Sequence, residues 1–197
     1  MSTAWRGVAA LGLAVVLAGC AGLPGFEASP ATTVPVLAAP PAEFRLEGRV
    51  SVKAGEESFS GGIAWRRDAQ GEDILLNTPL GQGVAELHGD ASGMTLTDAK
   101  GQSHRAADAD ELVRLVLGME LPLRGLAWWV TGHPRPKAPY QAESDSEGHL
   151  ARLAQDDWRI EFSRYGPRGS AILPGKLVAR RGEDLEVRLV VDRWELP

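Results

Sequence analysis

Four histidines and the paired aspartates Asp156 and Asp157 are the first residues of this 197-residue chain to weigh for moving protons or holding a metal. His88, His104, His133 and His149 lie far apart in sequence and show no metal spacing among themselves. They read as ordinary surface histidines. Asp156 and Asp157 adjoin each other just before a strand, so their side chains diverge, and a turn role fits them better than a shared proton. The chain has no G-x-S-x-G elbow, P-loop, H-E-x-x-H or G-x-G-x-x-G. A triad can be scattered in sequence, so missing motifs do not exclude an enzyme, but nothing assembles one and no cofactor is indicated. Two other residues stand out. Cys20 is the only cysteine. Leu80 sits at the tip of the turn N-T-P-L-G-Q-G, residues 77–83, where a polar residue is usual.

The surroundings of Cys20 suggest its use. One basic residue, Arg6, precedes an apolar run from Gly7 to Gly19, which has signal-peptide length and is too short for a permanent span of about 20 residues. The segment Leu17-Ala18-Gly19-Cys20 resembles the bacterial lipobox. That resemblance implies that residues 1–19 are removed and that Cys20 is lipidated, with three chains giving a stable anchor. Ala21 in the next position, where Asp would signal retention, implies the outer membrane. Residues 20–42 are rich in Pro, Ala and Thr. Prolines at 24, 30, 35, 40 and 41 exclude regular helix, so the segment reads as a semi-extended tether.

Residues 43–197 have the size of one domain. Without Arg6 the chain carries 20 basic against 26 acidic residues, interspersed and with no basic patch, so nucleic acid is not an expected partner. Period-two alternation runs through Phe44–Val52, Phe59–Trp65, Trp158–Phe162 and Leu185–Val191. Shorter strand candidates are 73–77, 83–89, 93–98, 101–105, 137–143, 148–154 and 174–180, with hairpin turns at 89–93 and 98–101. About ten or eleven strands result. One segment breaks the period. Asp108 caps a helix over 108–118 that ends at Gly118, and Pro122 opens a second over 122–131. Two helices inserted once among strands do not make βαβ units; they cover one face of a curved antiparallel sheet. The tryptophans Trp65, Trp128, Trp129, Trp158 and Trp194 suit core packing one by one. Together they suggest an apolar inner face that is incompletely filled and holds an apolar, elongated ligand.

From Phe44 to Trp194 the chain resembles the LolB family of outer-membrane lipoproteins. The matching pieces are G-R-V-S-V (48–52), F-S-G-G-I-A-W (59–65), L-L-N-T-P-L-G (75–81), D-A-D-E-L-V (108–113), L-G-M-E-L-P-L (117–123), W-W-V-T-G-H-P (128–134) and V-V-D-R-W (190–194). The resemblance implies a mainly β fold with inserted helices: an open, half-closed antiparallel barrel with a helical lid over an apolar cavity. It implies a monomeric, non-enzymatic acceptor that faces the periplasm, takes cargo lipoproteins by their acyl chains from the carrier LolA, and inserts them into the inner leaflet of the outer membrane. It also implies that Leu80, between Pro79 and Gly81, touches that membrane. The candidates to line the cavity or lid are Phe59, Ile63, Trp65, Val84, Leu87, Met94, Leu96, Leu112, Leu115, Val116, Trp128 and Trp129. A scaffolding lipoprotein with a filled interior is the competing reading, and a lipid-modifying hydrolase a lesser one. The proline-rich tether departs from the family pattern, and no helix is expected before Phe44.

Overall fold

The computed structural model describes residues 38–118 and 121–197. The signal segment, Cys20 and the tether as far as residue 37 lie outside the described residues. Residues 38–43 carry no regular element.

The strands in chain order are β1 (Phe44–Ala54), β2 (Glu57–Asp68), β3 (Gly71–Asn77), β4 (Gly83–Asp90), β5 (Gly93–Asp98) and β6 (Ser103–Ala106). Two helices follow, α1 (Ala109–Leu117) and α2 (Leu123–Trp129). Then come β7 (Tyr140–Ser144), β8 (Leu150–Gln155), β9 (Trp158–Ser163), β10 (Gly166–Arg168), β11 (Ala171–Leu173), β12 (Lys176–Arg181) and β13 (Leu185–Glu195). Eleven of them form one antiparallel sheet in the order β6-β5-β4-β3-β2-β1-β13-β12-β9-β8-β7. The sheet is open: β6 and β7, its outer strands, are not neighbours.

Alternation becomes a buried face through register. Leu46, Trp65, Ile74, Leu87 and Leu96 stand opposite one another across β1 to β5. Phe59, Val52, Val187, Ala179, Ile160, Leu153 and Ala142 make a second row across β2, β1, β13, β12, β9, β8 and β7. Such rows are the unit of sheet stabilisation, and their members fall in a single apolar cluster with the buried faces of both helices.

Both helices form close to the expected bounds. The Asp108 carboxylate accepts from the backbone N–H of Asp110 and Glu111, and Gly118 closes α1 at φ 68°. Pro122 precedes α2, and its carbonyl accepts from Leu126 N–H at 2.8 Å. Because β6 and β7 are opposite edges, the connection between them has to cross the sheet. Both helices lie on that crossing, which is why they cap the apolar face.

The small β10–β11 hairpin was not anticipated, because three-residue strands are too short to alternate. β7 starts at Tyr140, three residues later than expected, after Pro136 and Pro139.

Leu96, fully buried at the β5 end of the first row, and Leu115, 64% exposed on α1, give contrasting tests. Leu96→Ala is expected to lower stability by about 2–5 kcal/mol in urea unfolding, and Leu115→Ala to change it by no more than about 0.5 kcal/mol.

Candidate functional site

The expected cavity residues converge. Ile63, Trp65, Leu87, Met94, Leu96, Leu112 and Trp129 are buried, and Phe59, Val84, Val116 and Trp128 are half-buried against the same cluster. Leu115 is the exception. It lies on α1 but points away from the sheet, because Ala109, Leu112 and Val113 already occupy the inward stripe. The buried faces of both helices belong to the same apolar cluster as the sheet, so the helices cover it.

The two helices are held unequally. Trp129 Nε1 donates to Gln155 Oε1 at 3.0 Å, deep in the core, and Arg135 N–H donates to the same oxygen at 2.7 Å. Gln155 Nε2 donates back to the Arg135 carbonyl at 2.9 Å. The Trp129 ring packs on Trp158 at 6.1 Å between centroids. Arg67 Nη1 donates to the Ala127 carbonyl at 2.9 Å, and its guanidinium lies 5.3 Å from the centre of the Trp128 ring. These contacts pin α2 to β2, β8 and β9. In contrast, α1 rests on β5 and β6 through its apolar stripe. Exposed pairs from Arg124 to Asp108 and Asp110, both at 3.3 Å, join it to α2. Exposed ion pairs contribute roughly 0–1 kcal/mol. Of the two helices, α1 is the cheaper to lift.

The second feature is the turn at Leu80. Gly81 N–H donates to the Thr78 carbonyl and Thr78 N–H to the Gln82 carbonyl, both at 2.8 Å. Pro79 fixes its own φ, and Gly81 takes φ 84°, a conformation side chains disfavour. A closed turn therefore holds Leu80 out, 90% exposed. At its base the Asn77 side chain lies over Gly62, where a Cβ would sit 2.1 Å from Asn77 Oδ1. The small residues Gly62, Ser60 and Ser51 leave a groove of about 450 Å³ beside the turn.

Comparison with known proteins then decides the family. The family description "Outer membrane lipoprotein LolB" matches residues 42–194. An outer-membrane lipoprotein LolB from Thiobacillus denitrificans is 39% identical over 93% of this chain and 94% of its own length. One from Nitrosomonas europaea is 37% identical over 94% and 90%. The chain belongs to the LolB family. Its named relatives are outer-membrane lipoproteins. Among solved structures, an outer-membrane lipoprotein-sorting protein domain from Vibrio parahaemolyticus superposes with a TM-score of 0.55 at 9% identity, covering 79% of this chain and 85% of that one. A LolA superfamily protein from Nitrosomonas europaea gives 0.52 at 6% identity, covering 81% and 88%. At these identities the likeness is one of fold, the open sheet with its helices.

In this LolB-family chain several titratable groups are engaged by neighbouring side chains. His88 Nδ1 is 2.6 Å from Asp73 Oδ1 on the outer face; that hydrogen bond raises the His88 pKa and lowers that of Asp73. Asp156 and Asp157 form a left-handed turn at φ 52° and 64°, and Asp156 pairs with Arg135 at 2.8 Å, in keeping with the turn role expected of them. Glu72 is more informative. Partly buried, it accepts from Trp65 Nε1 at 3.1 Å, and burial raises its pKa despite the opposing effects of Arg67 and this hydrogen bond.

The candidate list missed Leu46, Ile74, Val113, Leu153, Trp158 and Ile160, which belong to the same cluster. Alternation or helical spacing marked Leu46, Val113, Trp158 and Ile160 as apolar-faced, and Ile74 and Leu153 fell in short strand candidates, but the strand order that brings them together is not written in local spacing. Gln155 was missed outright.

Two outcomes test this arrangement. Gln155→Ala leaves Trp129 N–H and the Arg135 backbone unpaired, at about 1–3 kcal/mol for each buried group. Hydrogen exchange is expected to speed up across α2 more than across α1. Glu72→Gln keeps an acceptor for Trp65 and removes the buried charge. A raised folded pKa means that wild type loses stability as pH climbs from the ordinary glutamate value through the raised one. The substitution is therefore expected to stabilise at pH 7, with the gain vanishing in acid below the ordinary glutamate range, as read by thermal unfolding against pH.

Proposed function

We propose that this chain is an acceptor anchored in the outer membrane through lipidated Cys20, facing the periplasm as a monomer. It takes lipoproteins from the carrier LolA by their acyl chains and delivers them to the inner leaflet. The observation that carries this reading is the apolar interior of a LolB-family fold, capped by one pinned helix and one lightly held helix. Nothing in the proposed step is catalytic: no bond is made or broken.

An acyl chain entering the interior exchanges one apolar environment for another, and each methylene kept from water is worth about 0.8 kcal/mol. Lifting α1 offers the guest Leu96, Leu87 and Met94 on the sheet and Leu112 on the helix. The cost of lifting is offset by the burial of the guest. Direction then depends on differential affinity among carrier, acceptor and bilayer, and needs no nucleotide. Leu80 is the contact with the bilayer. Its insertion is worth at most about 1.5–3 kcal/mol, enough to bias orientation but too little to anchor.

The test mixes the chain from residue 21 onward with carrier loaded with a lipoprotein. Cargo is expected to move onto this chain, and a fluorescent acyl probe to bind it and be displaced by the cargo. Cargo that stayed on a competent carrier, with no probe binding, would overturn the reading and favour a scaffold with a filled interior. Leu80→Glu is expected to accept cargo normally and deliver it to liposomes about 10- to 100-fold more slowly, the factor matching the lost insertion free energy. Delivery at the wild-type rate would remove the turn from the mechanism.

A further inference from the structure

The groove beside the Leu80 turn lies on the outer face of the sheet, and the register assembles it. Asn77, Gly62, Arg49 and Val190 stand opposite one another across β3, β2, β1 and β13, and Ser60, Ser51 and Arg188 form the row beside them. Gly62 and the two serines keep the floor low, and Thr78, Pro79 and Gly81 of the turn close one side.

Two observations bear on what this groove takes. The first is charge. The chain has 26 acidic residues against 21 basic, yet two arginines and no carboxylate line the groove. Arg49 donates through Nε and Nη2 to Asp192, and Arg188 through Nη2 to Glu186. Both pairs are exposed and weakly held. A guanidinium has five N–H groups, so the pairs orient the two arginines and leave donors for another acceptor. Lys176, opposite Val190 on β12, puts a third cation beside them. The second observation is position. The groove shares its wall with the turn that carries Leu80. A bilayer has a polar layer about 5–8 Å deep on each side of its hydrocarbon core. With Leu80 at the edge of that core, the groove at the foot of its turn lies in the polar layer.

We propose that the groove takes the phosphate of an anionic phospholipid headgroup from the membrane that Leu80 enters. This rests on the reading of Leu80 as the bilayer contact and adds to it a choice among lipids. A leucine responds to apolar depth and does not tell one headgroup from another. Two guanidinium groups do, because each presents paired N–H groups to a phosphate, and the Ser51 and Ser60 hydroxyls add donors between them.

The test uses the chain from residue 21 onward, which keeps the whole apolar core and lacks Cys20. Its partition onto vesicles of phosphatidylcholine is compared with that onto vesicles that also contain phosphatidylglycerol, at low salt. Wild type is expected to prefer the mixed vesicles by about 25-fold, about fivefold for each arginine near an anionic surface. Arg49→Gln with Arg188→Gln is expected to abolish the preference and leave partition onto phosphatidylcholine unchanged. Arg105→Gln with Arg152→Gln, which removes the same charge from β6 and β8, is expected to keep it. A preference that survived the first pair, or fell equally in both, would overturn the proposal. Failure to bind either vesicle would also overturn it, and would leave acceptance of cargo from the carrier untouched. If Leu80→Glu partitioned as wild type while the groove variant still lost the preference, the turn would lose its role and the groove would keep its own. Inorganic phosphate titrated without vesicles is expected to show no saturable site at micromolar concentration. Such a site, lost with the arginines, would make the groove one for a soluble anion and overturn the headgroup assignment.

Discussion

The order of strands in the sheet governs the rest of the molecule. Chain-adjacent strands pair from β1 to β6, and β1 also pairs with β13, so the first and last strands meet in the middle of the sheet. The two outer positions are left to β6 and β7, which follow one another in sequence. The link between them has to traverse the apolar face, and its two helices do so with most of their own backbone groups satisfied. A covering over that face thus follows when a continuous chain leaves this sheet open.

An interior of this kind has two opposing requirements. It has to be apolar enough to hold the fold together, and the acceptor function proposed above also asks that one wall yield at a cost a guest can offset. The structure divides these between the helices. Gln155 meets Trp129 and both backbone groups of Arg135, so moving α2 would strip several buried polar groups of partners at once. Among the described residues no such network lies beneath α1, whose inward stripe is aliphatic and whose polar contacts face water. Apolar contacts can be exchanged for a lipid chain almost without loss, whereas the Gln155 hydrogen bonds cannot.

Much of this could be read from the residues. Asp108 and Gly118 bounded α1 because a capping carboxylate and a left-handed glycine are local devices. Period-two alternation identified the face of each long strand for the same reason. The Leu80 turn was legible as an anomaly, since Pro79 and Gly81 fix a turn whose tip should be polar. What could not be read depends on partners distant in sequence. Gln155 looks like one more polar residue on a strand until the turn after α2 is placed against it. Leu115 sits in a run of aliphatic residues that does not say which of them faces inward. The β10–β11 hairpin is too short to carry any pattern.

The register also sets the reach of an anchored molecule. Phe44, where the chain joins the sheet, pairs with Arg67, whereas Asn77, where β3 ends, stands opposite Gly62, itself the partner of Arg49. The five residues from Phe44 to Arg49 span about 17 Å along the strand, and the Leu80 turn lies beyond that level. The point where the chain enters the sheet and the exposed leucine therefore lie toward opposite ends of these strands. A surface touched by Leu80 meets the end of the sheet away from Phe44, so the strands themselves set the distance between that contact and the place where the chain begins its fold.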